Sequence, residues 1–160
     1  MRIGHGFDLH RLEAGKRLVL AGVDIPGDRG AAAHSDGDAV LHALTDAVLG
    51  ALGQPDIGEL FPDTDPQWQG QDSSLFLDQA LRRMRSAGYQ LGNADVTVIL
   101  QTPKLSPYKA AMRKRLAELL GVAVERVNLK GKTHEKVDAV GEGRAVACHA
   151  VVLLESTVSG

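Results

Sequence analysis

The sequence predicts a single α+β domain, a two-layer α/β sandwich with helices covering one face of a mixed sheet of about four strands. Three observations carry that expectation. The chain has 160 residues, the size of one ordinary domain. It is 44% hydrophobic and 24% charged, a globular composition that argues against disorder. Stretches with apolar residues at three- and four-residue spacing alternate with β-branched runs, the pattern of helices laid on strands.

Taken in order, the opening run over 2–12 leads to Arg17–Gly22, which reads as a strand entering a turn region over 23–30. From Asp36 to Leu52 the residues Val40, Ala43, Leu44, Ala47, Val48, Ala51 and Leu52 mark a helix with one buried face. Ser35-Asp36-Gly37-Asp38 supplies a capping start, and Gly53 a stop. Pro55 to Gly70 is turn-rich and acidic. A second helix fits Ser73–Ala87 and stops at Gly88. Ala94–Gln101 is a β-branched strand containing Val96, Val98 and Ile99. Pro107–Leu120 is a basic amphipathic helix ending at Gly121. Val124–Lys130 and Ala145–Leu154 read as the last two strands. Their connection is too short for a crossover helix, so the sheet is expected to be mixed.

Composition also narrows the function. Lys plus Arg number 18 against 20 Asp plus Glu, a formal charge of -2, with no block of like charge. An electrostatic footprint for nucleic acid or an anionic membrane is therefore missing. Cys148 is the single cysteine, so an intramolecular disulfide and a Cys-rich zinc site are excluded. It lies in the apolar run 145–148 and is expected in the core, and a lone thiol suits a reducing cytosol. The N-terminus lacks the basic-then-apolar layout of a signal peptide, and no stretch reaches the ~18 apolar residues of a membrane span. The expected location is cytoplasmic.

Asp8, His10 and His42 are the most informative residues. In an extended segment side chains two apart point the same way, so Asp8 and His10 can converge on one point. His42 falls on the helix away from its apolar stripe, with Asp38 and Asp46 at four-residue spacing expected on the same polar face. One carboxylate and two imidazoles make a three-ligand set for a zinc-like ion with a fourth position open. His34-Ser35 stands just before the helix N-terminus, where backbone N–H groups and the dipole favour anions. A phosphate and a divalent cation would meet there. A plainer reading fits the same residues: Asp38 and Asp46 as solvated carboxylates, His42 as a hydrogen-bonded interior histidine, and His34-Ser35 as ordinary capping.

Longer motifs go further. Gly4-His5-Gly6-Phe7-Asp8-Leu9-His10-Arg11-Leu12 resembles the opening motif of the 2-C-methyl-D-erythritol 2,4-cyclodiphosphate synthase family. Ala33-His34-Ser35-Asp36-Gly37-Asp38-Ala39-Val40-Leu41-His42-Ala43-Leu44 is similar to its signature helix. The blocks over 56–65, 101–108, 128–130 and 133–136 follow in family order across the whole of 1–160. The resemblance implies one such domain, with ferredoxin-like or chorismate-mutase-like topology, working as a homotrimer with active sites between subunits. It also implies the reaction. The 2-phosphate of 4-diphosphocytidyl-2-C-methyl-D-erythritol 2-phosphate attacks the β-phosphorus, closing a cyclic diphosphate and expelling CMP.

The same resemblance assigns roles by position. Asp8, His10 and His42 match the ligands of a zinc-type ion (Zn2+, Mn2+ or Co2+), and Glu135 the ligand of a Mg2+ or Mn2+ ion on the substrate diphosphate. His34 and Thr133 match transition-state-stabilising positions. Asp8, Leu9, His10, His34 and Ser35 match substrate contacts, and Asp56, Ile57, Gly58, Phe61, Pro62, Asp63, Thr64 and Asp65 the part holding the methylerythritol unit. Leu100, Gln101, Thr102, Pro103, Lys104, Leu105 and Ser106 match the cytidine pocket, and Lys132, Thr133, His134 and Glu135 the diphosphate site. The chain departs from the family after Lys130, where Gly131-Lys132-Thr133-His134 stands in place of a threonine run. Asp138–Gly143 is shorter than the family's segment and lacks its Phe and Arg, which removes two side chains that could serve an anion site on the oligomer axis.

Overall fold

Strand β1 (Arg2–Ala14) alternates exposed and covered residues, and its covered face begins with two glycines, Gly4 and Gly6. Against them lies helix α1 (Ala39–Leu52), whose Ala43, Ala47 and Ala51 share one side at four-residue spacing. A Cβ on Gly4 would sit 1.8 Å from the Ala47 carbonyl oxygen, and one on Gly6 1.9 Å from that of Ala43. Only glycine permits this approach, so helix backbone packs directly on strand backbone. The same face of β1 continues with Asp8 and His10, level with the first turn of α1, which carries His42. The computed structural model describes residues 1–33, 35–62, 64–68 and 70–157.

The remaining elements are β2 (Val19–Leu20), β3 (Val23–Asp24), β4 (Arg29–Ala31), α2 (Ile57–Leu60), α3 (Ser73–Ser86), β5 (Tyr89–Ile99), α4 (Lys109–Leu120), β6 (Val127–Lys132), α5 (Asp138–Gly141) and β7 (Ala145–Ser156), with short 3-10 helices at Pro66–Trp68 and at Val124–Arg126, where the strand expected from Val124 has not yet begun. The main sheet has five strands in the order β4-β1-β7-β5-β6, rather than about four. The extra strand, β4, is a three-residue edge that begins at the end of the segment expected to be a turn and runs one residue past it, and it pairs antiparallel with the end of β1. The expected strand over Arg17–Gly22 is a two-residue piece of the small β2-β3 sheet, ended by Ala21 and Gly22 in the left-handed region.

The sheet is mixed, as expected, although not through direct pairing of the last two strands. β5 pairs parallel with β6 and antiparallel with β7, so it separates them. Counting strands of more than three residues and helices of more than four, the succession β1, α1 and α3, β5, α4, β6, β7 also differs from the β-α-β-β-α-β order of a ferredoxin-like domain, one of the two topologies the resemblance implies.

Helices α1, α3 and α4 cover one face and bury the core, with Leu44, Val48, Val96, Val98, Val146 and Leu154 at 0% exposure. Cys148 is buried there too, and burial pushes its thiol well above the ordinary range. The opposite face, expected to carry no helix, is covered at one end by α5, whose Val140 is buried with Ala145 and Ala147 of β7. The rest of that face is open: Ile3 is 71% exposed, and Phe7, Leu9 and Val151 are exposed beside it. Among the described residues no helix is long and apolar enough to cross a membrane.

Candidate metal centre

Asp8 and His10 arrive from β1 and His42 from α1, and their donor atoms lie within 4.8 Å of one another. Asp8 Oδ2 stands 2.8 Å from His10 Nδ1 and 3.3 Å from His42 Nδ1. Burial raises the Asp8 carboxyl, but the two imidazoles crowded against it, His10 first and then His42, more than offset it and hold it at about 2. The group is therefore a carboxylate at neutral pH. Asp8 Oδ2 and His10 Nδ1 are both buried, and neither makes a well-formed hydrogen bond despite their proximity. Buried polar atoms are costly without a partner, and a shared cation would satisfy both. One carboxylate and two imidazoles at this spacing fit a zinc-type ion with an open position.

Asp38 does not share the polar face of His42. It is fully buried as the N-cap of α1, outside the helix, where the helical spacing rule has no force. Its Oδ1 accepts from the N–H groups of Ala21, Val40 and Leu41 at 2.9, 3.0 and 3.1 Å, and its Oδ2 from Gly22 at 2.6 Å. Burial pushes this carboxyl up to about 6 against the pull of the Gly22, Ala21 and Leu41 amides. Two first-turn N–H groups that the sequence offered to phosphate are thus already taken. Asp46 is half-buried, and its Oδ1 accepts from Ile57 N at 2.8 Å, tying α1 to the start of α2.

A cavity of about 530 Å³ opens beside the triad. Of the expected substrate residues it is lined by Asp8, Leu9, His10, Ser35, Ile57, Gly58 and Phe61. Asp56, Pro62, Thr64 and Asp65 are not in its wall. Asp56 caps α2 through Glu59 N, and Asp65 takes both the backbone and the side-chain N–H of Gln67. His34 and Asp63 lie outside the described residues.

Two aromatic residues that sequence reasoning passed over complete the wall: Trp68 and Phe76. Phe61 packs 5.1 Å from each, centroid to centroid, and Phe76 meets the His42 ring edge-on at 6.1 Å. Phe76 belongs to the buried stripe of α3 and so reads as core, whereas Trp68 in its acidic loop was the available signal.

A smaller cavity of about 120 Å³ gathers Leu100, Gln101, Lys104, Leu105, Ser106, Lys132 and Thr133, with Lys109 and Gly131 as additions not foreseen. Thr102 and Pro103, joined by a cis bond, are outside its wall, as are His134 and Glu135. Glu135 is exposed and accepts from Thr133 Oγ1 at 3.2 Å, while His134 Nδ1 pairs with Asp138 at 2.8 Å. The two cavities share no residue. Asp8, Cys148, Val98 and Gly131 form one row across the sheet, so the cavities sit at the same level. Three strand spacings separate them, about 14 Å.

Comparison with known proteins agrees with this geometry. The YgbB family model matches residues 1–155. The chloroplastic 2-C-methyl-D-erythritol 2,4-cyclodiphosphate synthase of Oryza sativa subsp. japonica is 61% identical over 153 residues, 96% of this chain and 69% of the relative. The synthase of Cupriavidus metallidurans is 52% identical over 154 residues, 96% of this chain and 92% of the relative. A solved structure of a 2C-methyl-D-erythritol-2,4-cyclodiphosphate synthase in its CDP-bound form superposes with a TM-score of 0.90 at 47% identity, covering 96% of this chain and all of the other. Motifs, fold and the convergence of Asp8, His10 and His42 lead to one conclusion: the chain belongs to the YgbB family, that of the 2-C-methyl-D-erythritol 2,4-cyclodiphosphate synthases.

Proposed function

We propose that this chain converts 4-diphosphocytidyl-2-C-methyl-D-erythritol 2-phosphate to 2-C-methyl-D-erythritol 2,4-cyclodiphosphate and CMP. This is a cyclising phosphorus–oxygen lyase step of the methylerythritol phosphate route to isoprenoid precursors. The observation that carries the reading is the meeting of Asp8, His10 and His42 at the mouth of the larger cavity. These three would hold a Zn2+, Mn2+ or Co2+ ion, and Glu135 a Mg2+ or Mn2+ ion against the substrate diphosphate. Divalent cations in those places supply Lewis-acid neutralisation of phosphate charge.

The chain's own residues supply geometry. Substrate must fold back so that an oxygen of its 2-phosphate approaches the β-phosphorus. That oxygen donates an electron pair to phosphorus, the bond to the α-phosphate oxygen breaks, and CMP leaves with the pair. The attacking oxygen is already ionised near neutral pH, so no side chain has to act as base. Positioning and charge stabilisation then dominate. Ser35, in the wall of the larger cavity, would contact a substrate phosphate, and His34 would stabilise the transition state. Ile57, Gly58 and the wall of Phe61, Trp68 and Phe76 hold the methylerythritol unit and exclude water that would hydrolyse the diphosphate. Leu100, Gln101, Leu105 and Ser106 would bound the cytidine, Lys104 and Lys109 would face its phosphates, and Lys132 and Thr133 would stabilise the α-phosphate that leaves with CMP.

The working form in this reading is a homotrimer of chorismate-mutase-like subunits, in the cytoplasm. About 14 Å between the two cavities of one chain is too far for a cytidine and its β-phosphate to share, whereas a neighbour could present its second cavity to the first. The part of that sheet face left open by α5, with Ile3, Phe7 and Leu9 exposed, offers the contact surface. The test is incubation with the diphosphocytidyl substrate, followed by phosphorus NMR. A cyclic diphosphate formed with equimolar CMP is expected; linear phosphate products would make the chain a phosphohydrolase instead.

A further inference from the structure

We propose that Ser73 and Asp36 are positioning residues for the metal centre, forming a proton-ordered relay that fixes His42 with hydrogen on Nε2 and a lone pair on Nδ1. The inference rests on the reading of Asp8, His10 and His42 as cation ligands, and assigns work to two residues outside that set.

The number of protons available fixes the direction of each bond in the relay. Ser73 is fully buried at the first position of α3. Asp36 Oδ2 accepts the Ser73 N–H at 3.2 Å, and Asp36 Oδ1 accepts the Ser73 hydroxyl in a close contact. The carboxylate also takes Asp38 N–H at 3.3 Å, which anchors it to the segment entering α1. A hydroxyl has one proton, and an ionised carboxylate is an acceptor only. Once that proton is committed to Asp36, Ser73 Oγ has only lone pairs to offer His42 Nε2, which lies 2.9 Å away. The hydrogen of that bond must then come from the imidazole. Ser35 Oγ, 3.4 Å from the same nitrogen, already accepts from Gly37 N and is a weaker second acceptor.

The consequence falls on the other ring nitrogen. His42 Nδ1 faces Asp8 Oδ2 at 3.3 Å. Left alone, a neutral imidazole beside a carboxylate would place its proton on that nearer nitrogen and cap the site with N–H···O. The relay holds the proton at the far side instead, so the lone pair points at the cation position before any cation arrives. Outer partners of this kind set the tautomer, orientation and basicity of a histidine ligand.

The arrangement also locks geometry. Asp36 precedes α1 and Ser73 begins α3, so the relay pins the starts of both helices to one imidazole. Phe76, one turn further along α3, packs its ring against His42 at 6.1 Å and limits rotation of the ring.

Two measurements on the full-length protein test the proposal. Zinc affinity, read by competition with a chromophoric chelator, is expected to fall about 10- to 100-fold in Ser73→Ala. Long-range proton–nitrogen NMR of metal-free wild-type protein at about pH 8, above the ordinary imidazole range, is expected to show His42 with hydrogen on Nε2. In Ser73→Ala the proton is expected to move to Nδ1, opposite Asp8, a change that a merely structural serine would not produce. Unchanged zinc affinity in Ser73→Ala, or an Nδ1–H tautomer in the wild type, overturns the relay. Failure of the wild type to bind zinc would instead defeat the metal-centre reading, and the tautomer measurement would still decide the relay by itself.

Discussion

Replacing Gly6 by alanine puts one methyl group where α1 rests on β1. The added Cβ would lie 1.9 Å from the Ala43 carbonyl oxygen and 2.8 Å from Ala47 N, both backbone atoms that cannot turn aside. Ordinary contact begins near 3.4 Å, so the helix must retreat by about 1.5 Å. His42 neighbours Ala43 and moves with it, while Asp8 and His10 stay on the strand. Zinc–ligand distances hold to about 0.2 Å, several times less than the required retreat. Gly6→Ala is therefore expected to abolish tight zinc binding and to cost about 1–3 kcal/mol of stability through overpacking. Gly50→Ala is the matched control, on the helix side of the same interface. Its Cβ would meet only the His5 carbonyl at 3.9 Å, and a glycine replaced inside a helix gains up to about 1 kcal/mol. Zinc content and urea denaturation of the two variants, measured side by side, decide the matter. If Gly6→Ala binds zinc like the wild type, the claim that backbone contact sets the triad is wrong.

Other expectations concern the ligands and the buried cap. His42→Ala should lose turnover together with bound metal, checked by metal analysis beside CMP release; full activity in demonstrably metal-free protein would contradict the mechanism. Glu135→Gln should weaken magnesium dependence while leaving zinc content near that of the wild type, and equal loss of both would argue against two separate places. Asp38 gives a pH test. Its carboxyl sits at about 6 in the folded chain against an ordinary 3.8, so the folded state holds the proton more tightly. The stability this contributes is complete below about 3.8 and is lost as pH rises through about 6, roughly 3 kcal/mol in all. Asp38→Asn removes the titration, so the stability gap between wild type and variant should narrow by about that amount between ~pH 4 and ~pH 7 in denaturant titrations. A gap that stays constant would show that the four amides on Asp38, not burial, set its ionisation.

Much of this architecture was legible in the residues, and the exceptions have physical causes. The apolar spacing of α1 and its Gly53 stop placed that helix to within its cap, because its buried face is nearly continuous. Asp8 and His10 were readable as a pair because strand alternation sends both to one side. β1 itself was harder to see. Its covered face carries Gly4, Gly6, Asp8 and His10 before Leu12, since helix backbone fills the space that apolar side chains usually occupy. β2, β3 and β4 are two or three residues long, too short to carry any period. Asp38 was misplaced because four-residue spacing defines a face only inside a helix, whereas its backbone is still extended, at φ -75 and ψ 91. Ser73 and Asp36 gave no local sign at all: they are 37 positions apart and meet only through the packing of α3 on α1.

Anomalous diffraction at the zinc absorption edge, on crystals grown with zinc and CDP, shows whether Asp8, His10 and His42 hold the ion together. A peak is expected about 2.0–2.2 Å from a carboxylate oxygen of Asp8 and from Nδ1 of both His10 and His42, with CDP phosphate at the remaining position. A zinc-loaded crystal with no peak among these three side chains, or with zinc bound elsewhere while CDP occupies the cavity, would contradict the metal-centre reading.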